Sequence, residues 1–135
     1  MRGGSLFSGI GAPECAAPEI DWRWAAEIDP FAAAVYRTRF PGVPNLGDVT
    51  AVRWQEVDHV DVVIFGSPCQ SFSLAGQRGG LDDPRGHLAL VALEAVRHLR
   101  PRWFIFENVP GLLSSGGGWD FATFIRTVAD YGYGL

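Results

Sequence analysis

The chain has 135 residues, 47% hydrophobic and 19% charged, a composition typical of a folded domain that excludes a disordered protein. Its apolar runs are shorter than the roughly 18 residues of a membrane span, and it lacks the hydrophobic stretch of a secretion signal, so we expect a cytoplasmic protein. A net charge of −4 excludes a domain that holds DNA over its whole surface, because phosphate binding needs a basic surface.

The predicted elements alternate between strands and helices. Short apolar segments predict strands at 4–7, 22–27, 45–48 (very short), 61–66 and 103–106. Apolar residues at helical spacing predict helices over 30–40, with Asp29 as N-cap and Pro30 in the first turn, over 88–99 and over 121–128. Polar loops rich in glycine are expected at 67–86 and 114–118. This alternation predicts an α/β fold with a Rossmann-like, open, mainly parallel sheet.

Polar residues follow the predicted strands at the sheet edge where ligands bind in such folds. Gly9 and Gly11 form a G-x-G turn, which either binds a cofactor or is a simple tight turn. Glu14 occupies the third glycine position of the dinucleotide fingerprint, where its charge would repel a pyrophosphate and favour S-adenosylmethionine over NAD. Glu27 is placed to bind ribose hydroxyls, or is a solvated carboxylate. Asp48 is placed to accept from an adenine amino group, although a turn aspartate is the commoner role.

A thiol and a carboxyl group follow two further strands. Cys69 comes directly after Pro68 in a polar loop, where a nearby arginine, Arg78 or Arg85, would favour the nucleophilic thiolate. Glu107 ends an apolar strand, so we expect a partly desolvated carboxyl group that could hold a pyrimidine ring nitrogen, or else one that caps the next turn. Together they are a pair suited to covalent catalysis.

These segments resemble the ordered motifs of the DNA (cytosine-5) methyltransferase family. The resemblance covers residues 4 to 112 and is carried by Leu6-Phe7-Ser8-Gly9-Ile10-Gly11, Glu27-Ile28-Asp29, Gly47-Asp48-Val49-Thr50, Gly66-Ser67-Pro68-Cys69-Gln70-Ser71-Phe72-Ser73, Asp83-Pro84-Arg85-Gly86-His87-Leu88 and Glu107-Asn108-Val109.

The resemblance implies a class I methyltransferase fold and a mechanism. A cytosine flipped out of duplex DNA is attacked at C6 by Cys69 while Glu107 engages N3, and C5 then receives the methyl group of S-adenosylmethionine. It also implies that Asn108 positions Glu107 and the catalytic loop and that Arg85 contacts the flipped nucleotide. No metal is expected. The cofactor residues that it implies are Phe7, Ser8, Gly9, Gly11, Glu27, Ile28, Asp48 and Pro68.

The chain also departs from the family. Ser5 stands where an aspartate is common, and Ala12-Pro13 replaces a glycine run. The chain ends at Leu135, before the family's later strands and its target-recognition region, so we expect a truncated sheet with an exposed edge at 103–106. We further expect a complementary C-terminal subunit or segment as partner besides double-stranded DNA, and little methyl transfer without it, in a restriction-modification or phage context.

Three alternatives stay open at this point. One is an inactive remnant or cofactor-binding module of the same family. Another is a methyltransferase of RNA cytosine, which uses the same chemistry. A nicotinamide-dependent oxidoreductase is disfavoured by Glu14 and by the absence of lysine from the chain.

Overall fold

The structure, a computed structural model, describes residues 1–68 and 87–134. The chain divides into two compact units, Met1–Gly66 with His98–Glu107 and Ser67–Arg97 with Asn108–Leu135. The first unit holds the sheet and the second is helical.

A parallel sheet forms the first unit, as the sequence predicts, and it contains four of the five expected strands. The strands are β1 (Arg2–Leu6), β2 (Asp21–Ala26), β3 (Val62–Phe65) and β4 (Trp103–Phe106), in the order β2-β1-β3-β4. The short strand predicted at 45–48 is wrong, because only a single parallel bridge joins Asn45 to Ala25. Pro44 precedes that bridge, and Gly47 turns the chain away with a φ of 76°, so the pairing cannot extend.

Strand β1 lies where the strand order reverses. Its residue Leu6 pairs with Ala26 at the end of β2 on one side and with Phe65 at the end of β3 on the other. The segments that leave β1 and β3 therefore start side by side at the carboxyl edge of the sheet. This reversal point is where open α/β sheets bind their ligands.

Two helices follow β1 and β2. Helix α2 (Pro30–Arg39) begins as predicted, because the Asp29 side chain accepts a hydrogen bond from the Ala32 N–H at 2.7 Å and Pro30 occupies the first turn. Helix α1 (Ala12–Ala16) was not predicted. At five residues it is too short to show helical periodicity in the sequence.

Aromatic rings fill the core of the first unit. The fully buried Trp24 lies against β1, where a Cβ on Gly4 would come within 2.3 Å of the Trp24 ring. The centroid of that ring is 5.7 Å from the ring centroid of Trp54, which lies in a short 3₁₀ helix, Trp54–Glu56. Phe65 packs against Phe104 and Phe106 of β4 with centroid distances of 5.9 and 5.1 Å. Burial of each such ring stabilises the fold by about 1.5–3 kcal/mol.

Strand β4 is the outer strand of the sheet that the structure describes, as predicted. Its side chains Trp103 and Ile105 are 58% and 54% exposed. Within the described sheet, the carboxyl end of β4 has no neighbouring strand on one side.

The second unit is built from helices. These are α3 (His87–Leu99), whose residues up to Arg97 belong to this unit, a 3₁₀ segment (Pro110–Gly118) and α4 (Trp119–Asp130). Helices α3 and α4 confirm the prediction. The loop predicted at 114–118 lies within the 3₁₀ segment, and only Ser115–Gly117 leave helical geometry there. Within residues 1–68 and 87–134, no helix combines the length and apolar character of a membrane span.

Candidate active site

The turn after β1 has an unusual backbone. Phe7, Gly9 and Gly11 all have positive φ values, 54°, 56° and 89°. For a bulky residue such as Phe7 this left-handed conformation costs about 1–2 kcal/mol and persists only where surrounding contacts hold it. Strained backbone of this kind is concentrated at binding and catalytic sites.

Hydrogen bonds to the end of β2 hold this turn in place. The Ser8 N–H donates to the Ala26 carbonyl at 3.2 Å, and the Gly9 N–H donates to Glu27 Oε2 at 2.8 Å. The Gly11 N–H donates back to the Ser8 carbonyl at 2.9 Å. The turn and Glu27 therefore form one unit at the carboxyl ends of β1 and β2.

The two glycines of the turn are needed for different reasons. A Cβ on Gly11 would lie 2.3 Å from the ring of Phe40, so Gly11 gives room to that ring as well as adopting a positive φ. A Cβ on Gly9 would meet nothing within 4 Å. Gly9 is therefore required by its backbone conformation, and the space beside it is open.

Glu27 lies where the sequence predicts a ribose-binding carboxylate. It is half-buried, and its Oε1 accepts from the Asp29 N–H at 2.7 Å while Oε2 accepts from Gly9. The Asn45 side chain fixes the Glu27 backbone through bonds of 2.9 and 3.0 Å to its N–H and carbonyl. This carboxylate is therefore held firmly beside the glycine turn.

Glu14 does not lie where the sequence argument placed it. It is only 2% exposed, and its Oε1 accepts from Ser5 Oγ at 2.5 Å and from the Tyr36 hydroxyl at 2.8 Å. Burial, and next the hydrogen bond to Glu14, raise the pKa of Tyr36 above its ordinary value. Since helix α1 turns Glu14 into the core, the argument that it would meet a pyrophosphate loses its basis.

Two further predicted cofactor residues lie on the surface of the first unit. Ile28 is 67% exposed next to Glu27 and offers an apolar side chain there. Asp48 Oδ1 accepts from the Thr50 N–H at 2.9 Å and from its hydroxyl at 2.8 Å. Those bonds, the backbone one first, lower the pKa of Asp48. The structure thus shows the turn role of Asp48, and its adenine-binding role stays a prediction.

Gly66 and Glu107 meet at the ends of β3 and β4. The Glu107 N–H donates to the Phe65 carbonyl at 3.0 Å, and Glu107 Oε2 lies 2.8 Å from the position that a Cβ on Gly66 would take. The carboxyl group can lie across the end of β3 only because Gly66 has no side chain. The sequence reasoning named Gly66 only as part of a motif and missed this contact.

The predicted desolvation of Glu107 is wrong for this structure. The residue is exposed. The physical reason is the position of β4 at the outside of the described sheet, which leaves the end of this strand open to solvent on one side.

Asn108 is bonded to Ser67, the second residue after β3. Its Nδ2 donates to Ser67 Oγ at 3.1 Å and to the Ser67 carbonyl at 3.4 Å, while its Oδ1 accepts from the Val109 N–H at 2.8 Å. Ser67 is buried, and Pro68 follows it. The predicted nucleophile Cys69 and the predicted nucleotide contact Arg85 lie outside the described residues.

Comparison with known proteins places this arrangement in a family. The family model described as C-5 cytosine-specific DNA methylase matches residues 1–135. The fold and the matched sequence are those of a methyltransferase, and the chain belongs to the C-5 cytosine-specific DNA methylase family.

Individual relatives are named as methyltransferases. The chain is 40% identical over 125 residues to the type II methyltransferase M.AquIA of Picosynechococcus, covering 84% of this chain and 50% of that protein. It is 44% identical over 127 residues to a protein of Escherichia phage P1 named DNA N-6-adenine-methyltransferase, covering 83% of this chain and 17% of that one.

A solved structure confirms the fold. A prophage-encoded E. coli protein named as a DNA modification methyltransferase superimposes with a TM-score of 0.77 at 27% identity, over 96% of this chain and 38% of that one. The chain thus spans between 17% and 50% of the length of these relatives.

Proposed function

We propose that the protein transfers a methyl group from S-adenosylmethionine to C5 of cytosine in DNA, through a covalent adduct with Cys69. The observation that carries this proposal is the contact at the ends of β3 and β4. Glu107 lies against Gly66 there, and Cys69 is three residues further along the chain. A thiol and a carboxyl group, which follow β3 and β4 in the sequence, are the two groups that activation of a cytosine ring needs.

The residues around the turn after β1 fit S-adenosylmethionine. Its ribose hydroxyls would donate to the carboxylate of Glu27, and its adenine would lie against the apolar side chains of Phe7 and Ile28. The open space beside Gly9 allows the ligand to approach the backbone. When bound, this cofactor supplies an electrophilic methyl group on a sulfonium centre.

Each catalytic residue has a defined task in this proposal. The Cys69 thiolate forms a bond to C6 of a flipped cytosine, and Glu107 holds N3 and so stabilises the electron density that moves into the ring. The activated C5 would then take the methyl group as its bond to sulfur breaks, which would leave the donor as a neutral thioether. Loss of the C5 proton to a base expels the thiolate and restores both the aromatic ring and Cys69. Arg85 would contact the flipped nucleotide.

Asn108 would act through the loop that carries Cys69. Its side chain bonds both the hydroxyl and the carbonyl of Ser67, two residues before the nucleophile. Because Ser67 is 5% exposed, these bonds form away from competing water. The described chain therefore enters the segment that carries Cys69 from a fixed point at Ser67.

Methylation of adenine N6 is the second candidate, because the phage P1 relative carries that name. The amino group of adenine attacks the methyl donor directly and requires no thiol, so a sequence that holds both Pro68-Cys69 and Glu107-Asn108 favours cytosine. The match covers only 17% of that relative, so its name describes a much longer protein.

Double-stranded DNA is the substrate that we propose, at a cytoplasmic location. With a net charge of −4, these residues carry little of the phosphate binding, which a complementary C-terminal segment or subunit would supply. On this basis the chain alone shows little or no methyl transfer.

The test is transfer of a labelled methyl group, with the chain alone and together with any segment encoded downstream of Leu135. Duplex DNA and tRNA are offered as separate substrates, and the products are hydrolysed and separated as nucleosides. We expect label in 5-methylcytosine from DNA when the downstream segment is present, little with the chain alone, and none with Cys69→Ser. Label in N6-methyladenine, or in tRNA alone, would refute the proposal.

A further inference from the structure

A chain of buried polar side chains lies behind the turn after β1. We call it the buried polar cluster, and it consists of Ser5, Ser8, Glu14 and Tyr36, which are 0%, 5%, 2% and 0% exposed. Ser5 lies on β1, Ser8 lies in the turn, and the other two lie on α1 and α2. The cluster therefore ties three elements of the first unit to the turn that we assign to the cofactor.

The carboxylate of Glu14 sets the direction of the hydrogen bonds in the cluster. A carboxylate only accepts, so Ser5 Oγ and the Tyr36 hydroxyl both donate to Glu14 Oε1. Ser5 has then used its single proton, so the 2.7 Å contact between the two serine hydroxyls must be donated by Ser8. The Ser8 hydroxyl also lies 3.1 Å from the Ser5 carbonyl.

Ser8 stands between the two residues whose backbone is left-handed. Phe7 and Gly9 have φ values of 54° and 56°, and the Gly9 N–H is the group that reaches Glu27. The hydrogen bond from Ser8 to Ser5 keeps the Ser8 side chain in the core. The backbone of Phe7 and Gly9, on either side of Ser8, must then keep its left-handed conformation. A hydrogen bond to a carboxylate is stronger than one between two neutral groups, so the bond from Ser5 to Glu14 can help to offset the backbone strain in the turn.

We propose that Glu14 is a positioning residue for the cofactor turn: acting through Ser5 and Ser8, its buried carboxylate holds the turn in the conformation in which the Gly9 N–H meets Glu27. Glu14 does not touch the ligand, since it is 2% exposed. The effect on cofactor binding rests on the proposed function, whereas the effect on the Gly9 N–H does not.

The experiment measures amide hydrogen exchange at Gly9 by NMR, with the buried β3 residue Val63 as an internal reference for global unfolding. Glu14→Ala removes the anchor, whereas Glu14→Gln keeps an oxygen that can accept both hydrogen bonds. Tyr36→Phe is the matched control, because it removes the other donor to Glu14 and leaves the path through Ser5 intact.

We expect exchange at Gly9 to be faster in Glu14→Ala by about tenfold or more, the equivalent of one hydrogen bond to a charged group, with Val63 less affected. In Tyr36→Phe it should stay close to the wild-type rate. In Glu14→Gln, which keeps the acceptor oxygen but not the charge, it should lie between the wild-type rate and that of Glu14→Ala. Unchanged exchange in Glu14→Ala would overturn the proposal, and so would an equal effect of Tyr36→Phe.

A second variant guards against misfolding of Glu14→Ala. Ser5→Ala breaks the path while leaving the carboxylate bonded to Tyr36, and it should accelerate Gly9 exchange in the same way. If it does not, the path is not the one proposed. S-adenosylmethionine affinity is measured in parallel on the same proteins and should fall about tenfold in Glu14→Ala. Failure of the wild-type protein to bind the cofactor would instead refute the proposed function and leave the exchange result standing.

Discussion

Alanine substitutions at two glycines of the turn after β1, compared with one at a control glycine elsewhere, separate the cost of backbone strain from the cost of a steric clash. Gly9 has a φ of 56° and open space beside it, whereas Gly11 has a φ of 89° and would place a Cβ 2.3 Å from the Phe40 ring. Gly42 has neither feature, since its φ is not in the left-handed region and its Cβ would meet nothing within 4 Å. It is the matched control.

The structure sets the size of each effect. Gly9→Ala should lower the free energy of unfolding by about 1–2 kcal/mol, the cost of a left-handed conformation for a residue with a Cβ. Gly11→Ala has the same cost and in addition displaces Phe40, an overpacking that costs about 1–3 kcal/mol more. Gly42→Ala should be neutral or stabilise by about 0.4–1 kcal/mol, because alanine restricts the unfolded chain.

Urea unfolding followed by tryptophan fluorescence measures all three variants against the wild-type protein. We expect the order Gly42→Ala, Gly9→Ala, Gly11→Ala from most to least stable. If Gly11→Ala cost no more than Gly9→Ala, the claim that Phe40 requires a glycine at position 11 would be refuted. If Gly9→Ala and Gly42→Ala had the same free energy of unfolding, the left-handed conformation of Gly9 would be refuted.

Three further outcomes follow from the site. Gly66→Ala should leave stability close to that of the Gly42→Ala control. Its Cβ would displace the Glu107 carboxyl group, so methyl transfer should fall by up to about a hundredfold, chiefly in kcat. A rate equal to that of the wild-type protein would contradict this. The pKa of Tyr36 is raised in the folded state, so above pH 10.0, its ordinary pKa, unfolding releases the Tyr36 proton. Urea titrations should therefore show the free energy of unfolding falling as the pH rises past that value, and falling less steeply in Tyr36→Phe. Glu27→Gln should weaken S-adenosylmethionine binding about tenfold by calorimetry, and undiminished affinity would exclude its ribose-binding role.

Local chemistry was enough to predict much of this protein. β-branched and aromatic residues mark β2, β3 and β4, and a short apolar segment before the glycine turn marks β1. The Asp29-Pro30 pair marks the start of α2. These signals depend on neighbouring residues alone. Parallel strands bring their carboxyl ends to one edge, so the sequence could also place the turn after β1, Glu27 and Glu107 along the same side of the sheet.

The directions of individual side chains depended on the tertiary fold. Glu14 occupies a position that a motif would place near a ligand, yet it faces inward because Ser5 and Tyr36, 9 and 22 residues away in sequence, supply its hydrogen bonds. Glu107 follows an apolar strand but is exposed, because β4 is the outer strand of the described sheet.

Close approaches between segments far apart in the chain could likewise not be predicted from the sequence. Phe40 requires a glycine at position 11, and the Glu107 carboxyl group requires one at position 66. A sequence reports that a glycine is present and which backbone angles it allows. Which atom fills the space left by its missing side chain depends on how segments far apart in the chain pack together, and that is a property of the folded protein.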